Sequence, residues 1–417
     1  MTDQCDVVVV GGGIMGVSLT LHLLEAGMTN VRLLERDGLF EGTTAAGGGF
    51  LAPWTALSPL HGAASKSLPI ERYGMDFYEG LHKAGHDIDY RRNGVLWVAA
   101  SAEAWAQVQE MAWLAADPDC VVIEPDRLSE FTGGVVSGNG VHGTTFLPSG
   151  AQVYTPKLGG VLAGLIQEKG GIIDTRRPVT GIRARGGRVV GVDTPSGPVD
   201  CDTVVVAAGA WANDLLRPLD VFLPAVPQIT SRIITEDIGV PETLPVLMLQ
   251  GIMADEPGGG TVLWVRAHHG GLLWGGMYAT YPRNILVDAP VPDRLDELPT
   301  DGVLENQRVA GAATFMPALS RRTSVRVKHG APCYTPDDMA LVGPVPGIDG
   351  LYAFGGDNEL GVTHGPGLAK ALADNIVHGS SDLVDLTHWR LDRFDGRFTD
   401  PNEVFQAVEL VLEEERL

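Results

Sequence analysis

Cysteine is scarce. Cys5, Cys120, Cys201 and Cys333 are the only four in 417 residues, and no two form a C-x-x-C pair. Such scatter fits neither a disulfide framework nor a zinc site. Positive charge is also short. Lys plus Arg number 30 against 52 Asp plus Glu, a formal charge of −22, which repels nucleic acid and anionic membrane surfaces. The acidity reads as a solubility feature. No apolar run reaches the roughly 18 residues of a membrane span. No basic segment precedes the first apolar run, as a secretory leader would require, so a cytoplasmic location is the expectation. Repeats and low-complexity tracts are absent. The composition is that of an ordered globular protein, 44% hydrophobic, at a length that suggests two domains.

The most informative segment opens the chain. Val7 to Val10 form a β-branched run, and Gly11, Gly13 and Gly16 follow at G-x-G-x-x-G spacing. An apolar helical pattern through Val17, Leu19, Leu21, Leu23 and Leu24 comes next, then a second strand from Val31 to Leu34 ending in Glu35. The first glycine permits a tight turn, the second lets the backbone approach a pyrophosphate, and the third lets helix and strand pack closely. The helix N-terminus offers free N–H groups and partial positive charge to phosphates. Glu35 stands where an acid accepts a hydrogen bond from a ribose hydroxyl. Strand, turn, helix, second strand and acid together indicate dinucleotide binding.

The rest of the chain reads as a nucleotide domain assembled from separated segments, 1–90, 150–215 and 326–380. A substrate domain at 91–149 and 216–325 is interleaved with it, and 381–417 form a tail. The fold class expected is α/β for the Rossmann-like nucleotide domain, with an antiparallel-sheet α+β substrate domain. Helices are expected over 68–83, from Ser101, and from Thr155 through Ile166. A meander spans 179–199 with turns at Gly186-Gly187 and Ser196-Gly197. An acidic loop over 288–301 precedes another expected helix. His268-His269 before Gly270-Gly271 read as an exposed hairpin tip. Asp400-Pro401-Asn402-Glu403 combine an N-cap, a first-turn proline and a capping-box acid. A terminal helix should follow, with Phe405, Val408, Val411 and Leu412 on one apolar face turned to its own chain.

Three further segments distinguish FAD from NAD. They are the small-residue loop from Gly42 to Pro53, the buried strand from Val204 into Gly209 and Trp211, and the run from Thr335 through Val342-Gly343-Pro344 and Gly355-Gly356-Asp357 to Pro366-Gly367. With these motifs in this order, residues 5–395 resemble the D-amino-acid-oxidase-type FAD superfamily. They are most similar to glycine oxidase and to the sarcosine and dimethylglycine dehydrogenases. The resemblance implies FAD contacts at Gly11, Gly13, Ile14, Met15, Gly16, Glu35, Arg36, Thr43, Thr44, Gly48, Gly49, Phe50 and Gly209. It implies a backbone contact from Val179 to the adenine. Gly356, Asp357, Asn358, Leu360, Gly361, Val362 and Thr363 would lie against the isoalloxazine, with the helix N-terminus near Pro366 stabilising negative charge on the ring. Ala46 stands where related proteins carry a flavin-linking His, and Cys333 is two residues before Thr335, out of register for a Cys link. Non-covalent FAD is therefore expected.

The chemistry implied is oxidation of a C–N bond, with hydride passing from the carbon beside an amine nitrogen to flavin N5 and the imine hydrolysing afterwards. The protein's part is orientation, desolvation and electrostatics. Glu359, Trp264, Tyr278 and His364 are the candidate catalytic residues, His364 as a proton relay beside the flavin loop. The two places where glycine-oxidase-like enzymes carry carboxylate-binding arginines hold Pro332 and Glu359. Either another cation (Arg232, Arg266, Lys328 or His329) takes that part, or the substrate is not a small carboxylate. The expected partners are a small-molecule amine and an electron acceptor, either oxygen or a redox protein, with homo-oligomerisation open. Two other functions share the nucleotide motifs: a flavin-binding subunit of a larger dehydrogenase complex, and an FAD-dependent 2-hydroxy-acid dehydrogenase.

Overall fold

A computed structural model describes residues 3–53, 64–114, 119–252, 263–276, 291–300, 313, 316–321 and 325–415. Fourteen strands build its two main sheets. In chain order they are β1 (Val7–Val10), β2 (Val31–Leu34), β3 (Val95–Ala99), β4 (Val121–Val122), β5 (Gly143–Leu147), β6 (Ile172–Asp174) and β7 (Thr203–Val206). Then follow β8 (Thr230–Thr235), β9 (Val246–Gln250), β10 (Leu263–His268), β11 (Gly271–Gly276), β12 (Val325–Gly330), β13 (Leu341–Pro344) and β14 (Leu351–Gly355). The helices used below are α1 (Ile14–Glu25), α2 (Ala64–Lys83), α3 (Thr155–Glu168), α4 (Gly361–His378) and α5 (Pro401–Glu415).

The first sheet has six strands in the order β13-β14-β7-β1-β2-β6. All neighbours are parallel except β13 and β14. Its central strands are buried on both faces, which is why they read as unbroken valine runs. Helices α1 and α4 pack on it as neighbours, with α2 against α4. Glycines set the spacing: an added Cβ on Gly74 would lie 1.9 Å from the Thr363 carbonyl oxygen, and one on Gly367 would lie 2.5 Å from that of Ile70. The meander forms a small separate sheet, with Gly181–Arg185 paired antiparallel to Arg188–Asp193.

The second sheet has eight strands in the order β12-β8-β11-β10-β9-β3-β5-β4. Every pairing is antiparallel except β9 with β3. Those two strands come from distant parts of the chain, so no hairpin constrains their direction. Strand β12, at the start of the segment expected to return to the nucleotide domain, is an edge strand of this second sheet.

Helix α5 starts as its capping signal predicts. Asn402 N–H donates to Asp400 Oδ1 at 2.8 Å, and Thr399 N–H to Glu403 Oε2 at 3.2 Å. Its Val404 and Val408 are buried with Val226 and Tyr334 of the same chain, with Phe405 packed alongside. The side chains of Val411 and Leu412, and the helix expected after residue 301, lie outside the described residues.

Candidate active site

The turn from β1 into α1 is built by steric exclusion. Gly11 has φ +114, and a Cβ there would lie 2.4 Å from the Ala207 carbonyl oxygen. A Cβ on Gly16 would lie 2.0 Å from the Gly11 carbonyl oxygen. The turn therefore presses against both its own helix and the end of β7, as a phosphate-binding turn must. Gly13 caps α1 without a side chain. The Ile14 N–H is held by Thr44 Oγ1 at 3.1 Å, and Thr43 Oγ1 accepts from Ala331 N–H at 3.0 Å. The two threonines thus tie their loop to α1 and to the chain beyond β12.

A cleft of about 390 Å³ runs along this turn. It brings together Gly11, Gly13, Ile14, Met15, Glu35, Arg36, Thr43, Thr44, Val179 and Gly209 with Gly356, Asp357, Glu359, Gly361 and Val362. Pro332 and Cys333 line it too. Glu35 accepts from Gly12 N–H at 2.5 Å through Oε2 and from Asp37 N–H at 2.7 Å through Oε1. Burial pushes its pKa up, against these two bonds. Each oxygen keeps lone-pair capacity for a hydroxyl. Arg36 lies over the Trp211 ring, 4.5 Å from its centroid, and pairs with Asp293 at 3.2 Å.

Gly16, Gly48, Gly49, Phe50, Asn358, Leu360 and Thr363 do not line this cleft. Gly49 has φ +73, with room for no Cβ beside the Val153 carbonyl oxygen at 2.2 Å. The Phe50 ring meets Trp264 of β10 edge to face at 5.3 Å. Trp264 Nε1 donates to Gly276 O at 3.3 Å, and the side chain is buried on the sheet face turned to Phe50 and Ala52.

The loop before α4 carries two adjacent left-handed residues, Asn358 (φ 50) and Glu359 (φ 70). Left-handed non-glycine residues persist only where their surroundings hold them. Asn358 is so held. Its N–H donates to Cys333 O at 3.1 Å, its Oδ1 accepts from Thr335 N–H at 2.9 Å, and its Nδ2 donates to Gly356 O at 3.0 Å. Leu360 N–H donates to Asp357 O at 2.9 Å. A Cβ on Gly361 would lie 1.8 Å from Asp357 Oδ2. Asp357 is half-buried at the cleft wall, and desolvation there pushes its pKa up to about 6 although His364 nearby opposes the shift. His364 is buried on the first turn of α4, its Nε2 2.9 Å from Oε1 of the fully buried Glu71 on α2.

Some of this was not readable from sequence. Glu71 carries no local signal, because its partner lies 293 positions away. His268 is a correction: it is buried rather than exposed at a tip, its ring 5.0 Å from Tyr154. The turn itself falls at His269 (φ 50) and Gly270 (φ 75). Strand β10 reaches the turn with alternate residues facing the first domain, and His268 takes that face. Cys333 is a buried thiol whose pKa burial raises. Tyr278 lies outside the described residues. Among the described residues no cluster of His, Cys, Asp and Glu could hold a metal, and no helix is long and apolar enough to cross a membrane.

The crowded turn, the glycine-capped helix N-terminus and the half-buried acid after β2 fit an adenine dinucleotide. Residues 6–375 match the family model DAO, FAD dependent oxidoreductase. The chain is 30% identical over 413 residues to 4-methylaminobutanoate oxidase (formaldehyde-forming) of Paenarthrobacter nicotinovorans, covering 95% of this chain and 46% of that protein. It is 27% identical over 407 residues to mitochondrial dimethylglycine dehydrogenase of Homo sapiens, covering 92% and 44%. The chain thus spans about half the length of these curated relatives. The solved L-proline dehydrogenase of P. horikoshii has the same fold, with a TM-score of 0.78 at 20% identity over 95% of this chain and 99% of that one. The chain belongs to the DAO family of FAD-dependent oxidoreductases.

Proposed function

We propose that this chain oxidises the C–N bond of an amine or amino acid. The observation that carries this reading is the junction of the two sheets. There the loop continuing the phosphate-binding fold, Gly47 to Phe50, touches both Trp264 and Arg232 of the second sheet. A cofactor laid along the cleft is thereby brought to the face of a sheet that carries aromatic and cationic side chains. Bound FAD supplies the hydride acceptor. The residues of the chain supply the rest. The N–H groups of Gly13 and Met15 would hold the pyrophosphate, since those of Gly11, Gly12 and Ile14 are taken by Leu34, Glu35 and Thr44; Glu35 would receive the ribose, and Val179 would border the adenine. The N-terminus of α4 turns its positive end to the ring. Phe50 and Trp264 exclude water from the reacting face, and Glu359 favours a cationic nitrogen at the cleft wall. His364, clamped by Glu71, is a positioning residue at the start of α4.

Anaerobic titration of the yellow protein with secondary amines, amino acids and polyamines tests the reading. Bleaching by an amine without any added protein supports it. Bleaching by 2-hydroxy acids alone would indicate a hydroxy-acid dehydrogenase. A flavin that no substrate bleaches would indicate a subunit of a larger complex.

A further inference from the structure

Residues 291–300 lie between β11 and β12 in the chain, yet they pack on the nucleotide side of the cleft. Leu295 is buried there with Ile229 and Ala331, and Val291, Leu298, Ala210 and Trp211 pack around them. Ala210 and Trp211 follow β7 of the first sheet, so this small apolar seat joins the segment to the nucleotide-binding half. The seat is separate from the cores of the two main sheets. Polar anchors flank it on both sides. Arg36 Nη1 donates to Asp293 Oδ1 at 3.2 Å, and Arg36 Nη2 donates to the Asp293 carbonyl at 2.9 Å. Further along, the backbone at Leu298 and Pro299 hydrogen-bonds with the buried His329 of β12. His329 Nδ1 in turn lies 3.0 Å from Ser231 Oγ of β8.

The Arg36 anchor is at the cofactor cleft. Asp293 lines the cleft together with Glu35, Arg36, Trp211 and Asp214. Arg36 is the residue after Glu35, and Trp211 lies against its guanidinium at 4.5 Å. Its Nε donates to Asp37 Oδ2 at 3.0 Å, so each of its three nitrogens has a protein acceptor, two of them on Asp293. The side chain of Arg36 therefore acts on the nucleotide end of the cleft by holding residue 293 there. The hold is a light one. Leu295 is the only buried side chain of residues 291–300, and the Asp293 side chain is 88% exposed. A satellite cluster of this size opens at lower cost than a sheet core. Opening would take Asp293 off the cleft wall and leave both sheets folded.

We propose that residues 291–299 form a strap that latches the adenosine end of the FAD cleft, with Arg36 as the catch. FAD leaves when the strap opens, and bound FAD holds the strap shut. Strap closure and cofactor binding then strengthen each other by the same factor. The proposal rests on the reading that places the FAD ribose at Glu35.

The test follows FAD release from the loaded protein by the rise in flavin fluorescence. ADP and FMN binding to flavin-stripped protein are measured by calorimetry. Asp293→Ala should release FAD about two- to fivefold faster, the range for an exposed ion pair, and the gain should shrink at high salt. Leu295→Asp, which puts a charge in the apolar seat, should release it at least about tenfold faster. Asp296→Ala is a control on the same segment, where the carboxylate pairs with Arg294. It should stay within about twofold of wild type. Asp293→Ala and Leu295→Asp should weaken ADP and leave FMN unchanged, because FMN lacks the adenosine. In wild type, hydrogen exchange at the Glu297 and Leu298 amides, which donate within the strap, should slow when FAD binds. The proposal is overturned if Asp293→Ala and Leu295→Asp both release FAD at the wild-type rate. It is equally overturned if Asp296→Ala accelerates release as much as Asp293→Ala, or if FAD leaves exchange in the strap unchanged. If the variants weaken FMN and not ADP, the strap closes on the flavin end and the placing of the ribose at Glu35 fails.

Discussion

Gly11→Ala, Gly16→Ala and Gly27→Ala separate backbone strain from displacement at the phosphate turn. At Gly11 both apply: φ is +114, and the new Cβ would sit 2.4 Å from the Ala207 carbonyl oxygen and 2.8 Å from its carbon. These are backbone atoms and cannot swing aside. The strain costs about 1–3 kcal/mol, and reaching ordinary contact requires the turn to move by roughly 1 Å. At Gly16 the backbone is helical, so only displacement acts, with the Cβ 2.0 Å from the Gly11 carbonyl oxygen. Overpacking of that kind costs about 1–3 kcal/mol and drives α1 off β1. At Gly27 only strain acts, since φ is +105 with nothing within 4 Å, and the residue lies beyond the far end of α1. A turn moved by this much misaligns N–H groups aimed at phosphate, each bond being worth about 1.5–3 kcal/mol, or tenfold and more in affinity. In FAD titrations of flavin-stripped protein, Gly11→Ala and Gly16→Ala should bind at least about tenfold more weakly, while Gly27→Ala stays within about threefold. Equal losses in all three would mean general destabilisation. Wild-type affinity in Gly11→Ala would refute the steric account of the turn.

Asp357 has a folded pKa of about 6 against 3.8, so its proton is bound more tightly in the folded chain. The stability this contributes is present below about pH 4 and is lost as pH rises through about 6. Asp357→Asn of flavin-stripped protein should therefore gain urea resistance over wild type, worth about 3 kcal/mol near pH 7.5 and shrinking toward pH 4; a pH-independent difference would refute the burial argument. Glu359→Gln should lower kcat/KM about tenfold for a substrate with a cationic group at the cleft wall; a change within about twofold removes Glu359 from recognition. Acid precipitation should release the flavin into the supernatant, because Ala46 offers no nucleophile and Cys333 is a buried, protonated thiol; a fluorescent protein band on a denaturing gel would contradict this.

The sequence alone determined the parts that local chemistry encodes. The turn after β1 was legible because only glycine tolerates φ +114 and a carbonyl at 2.0 Å. The start of α5 was legible because Asp400 and Glu403 cap within four residues. The family followed from such motifs recurring in order. Tertiary structure decided everything that depends on strand register and distant packing. It placed β12 at the edge of the second sheet and paired Glu71 with His364 across 293 positions. It also turned His268 inward and gathered Arg232 and Arg266, 34 positions apart, on one face from β8 and β10, with β11 between them. A guanidinium's surroundings are set by which strands lie side by side, and a one-residue slip of either strand would have sent its arginine to the opposite face.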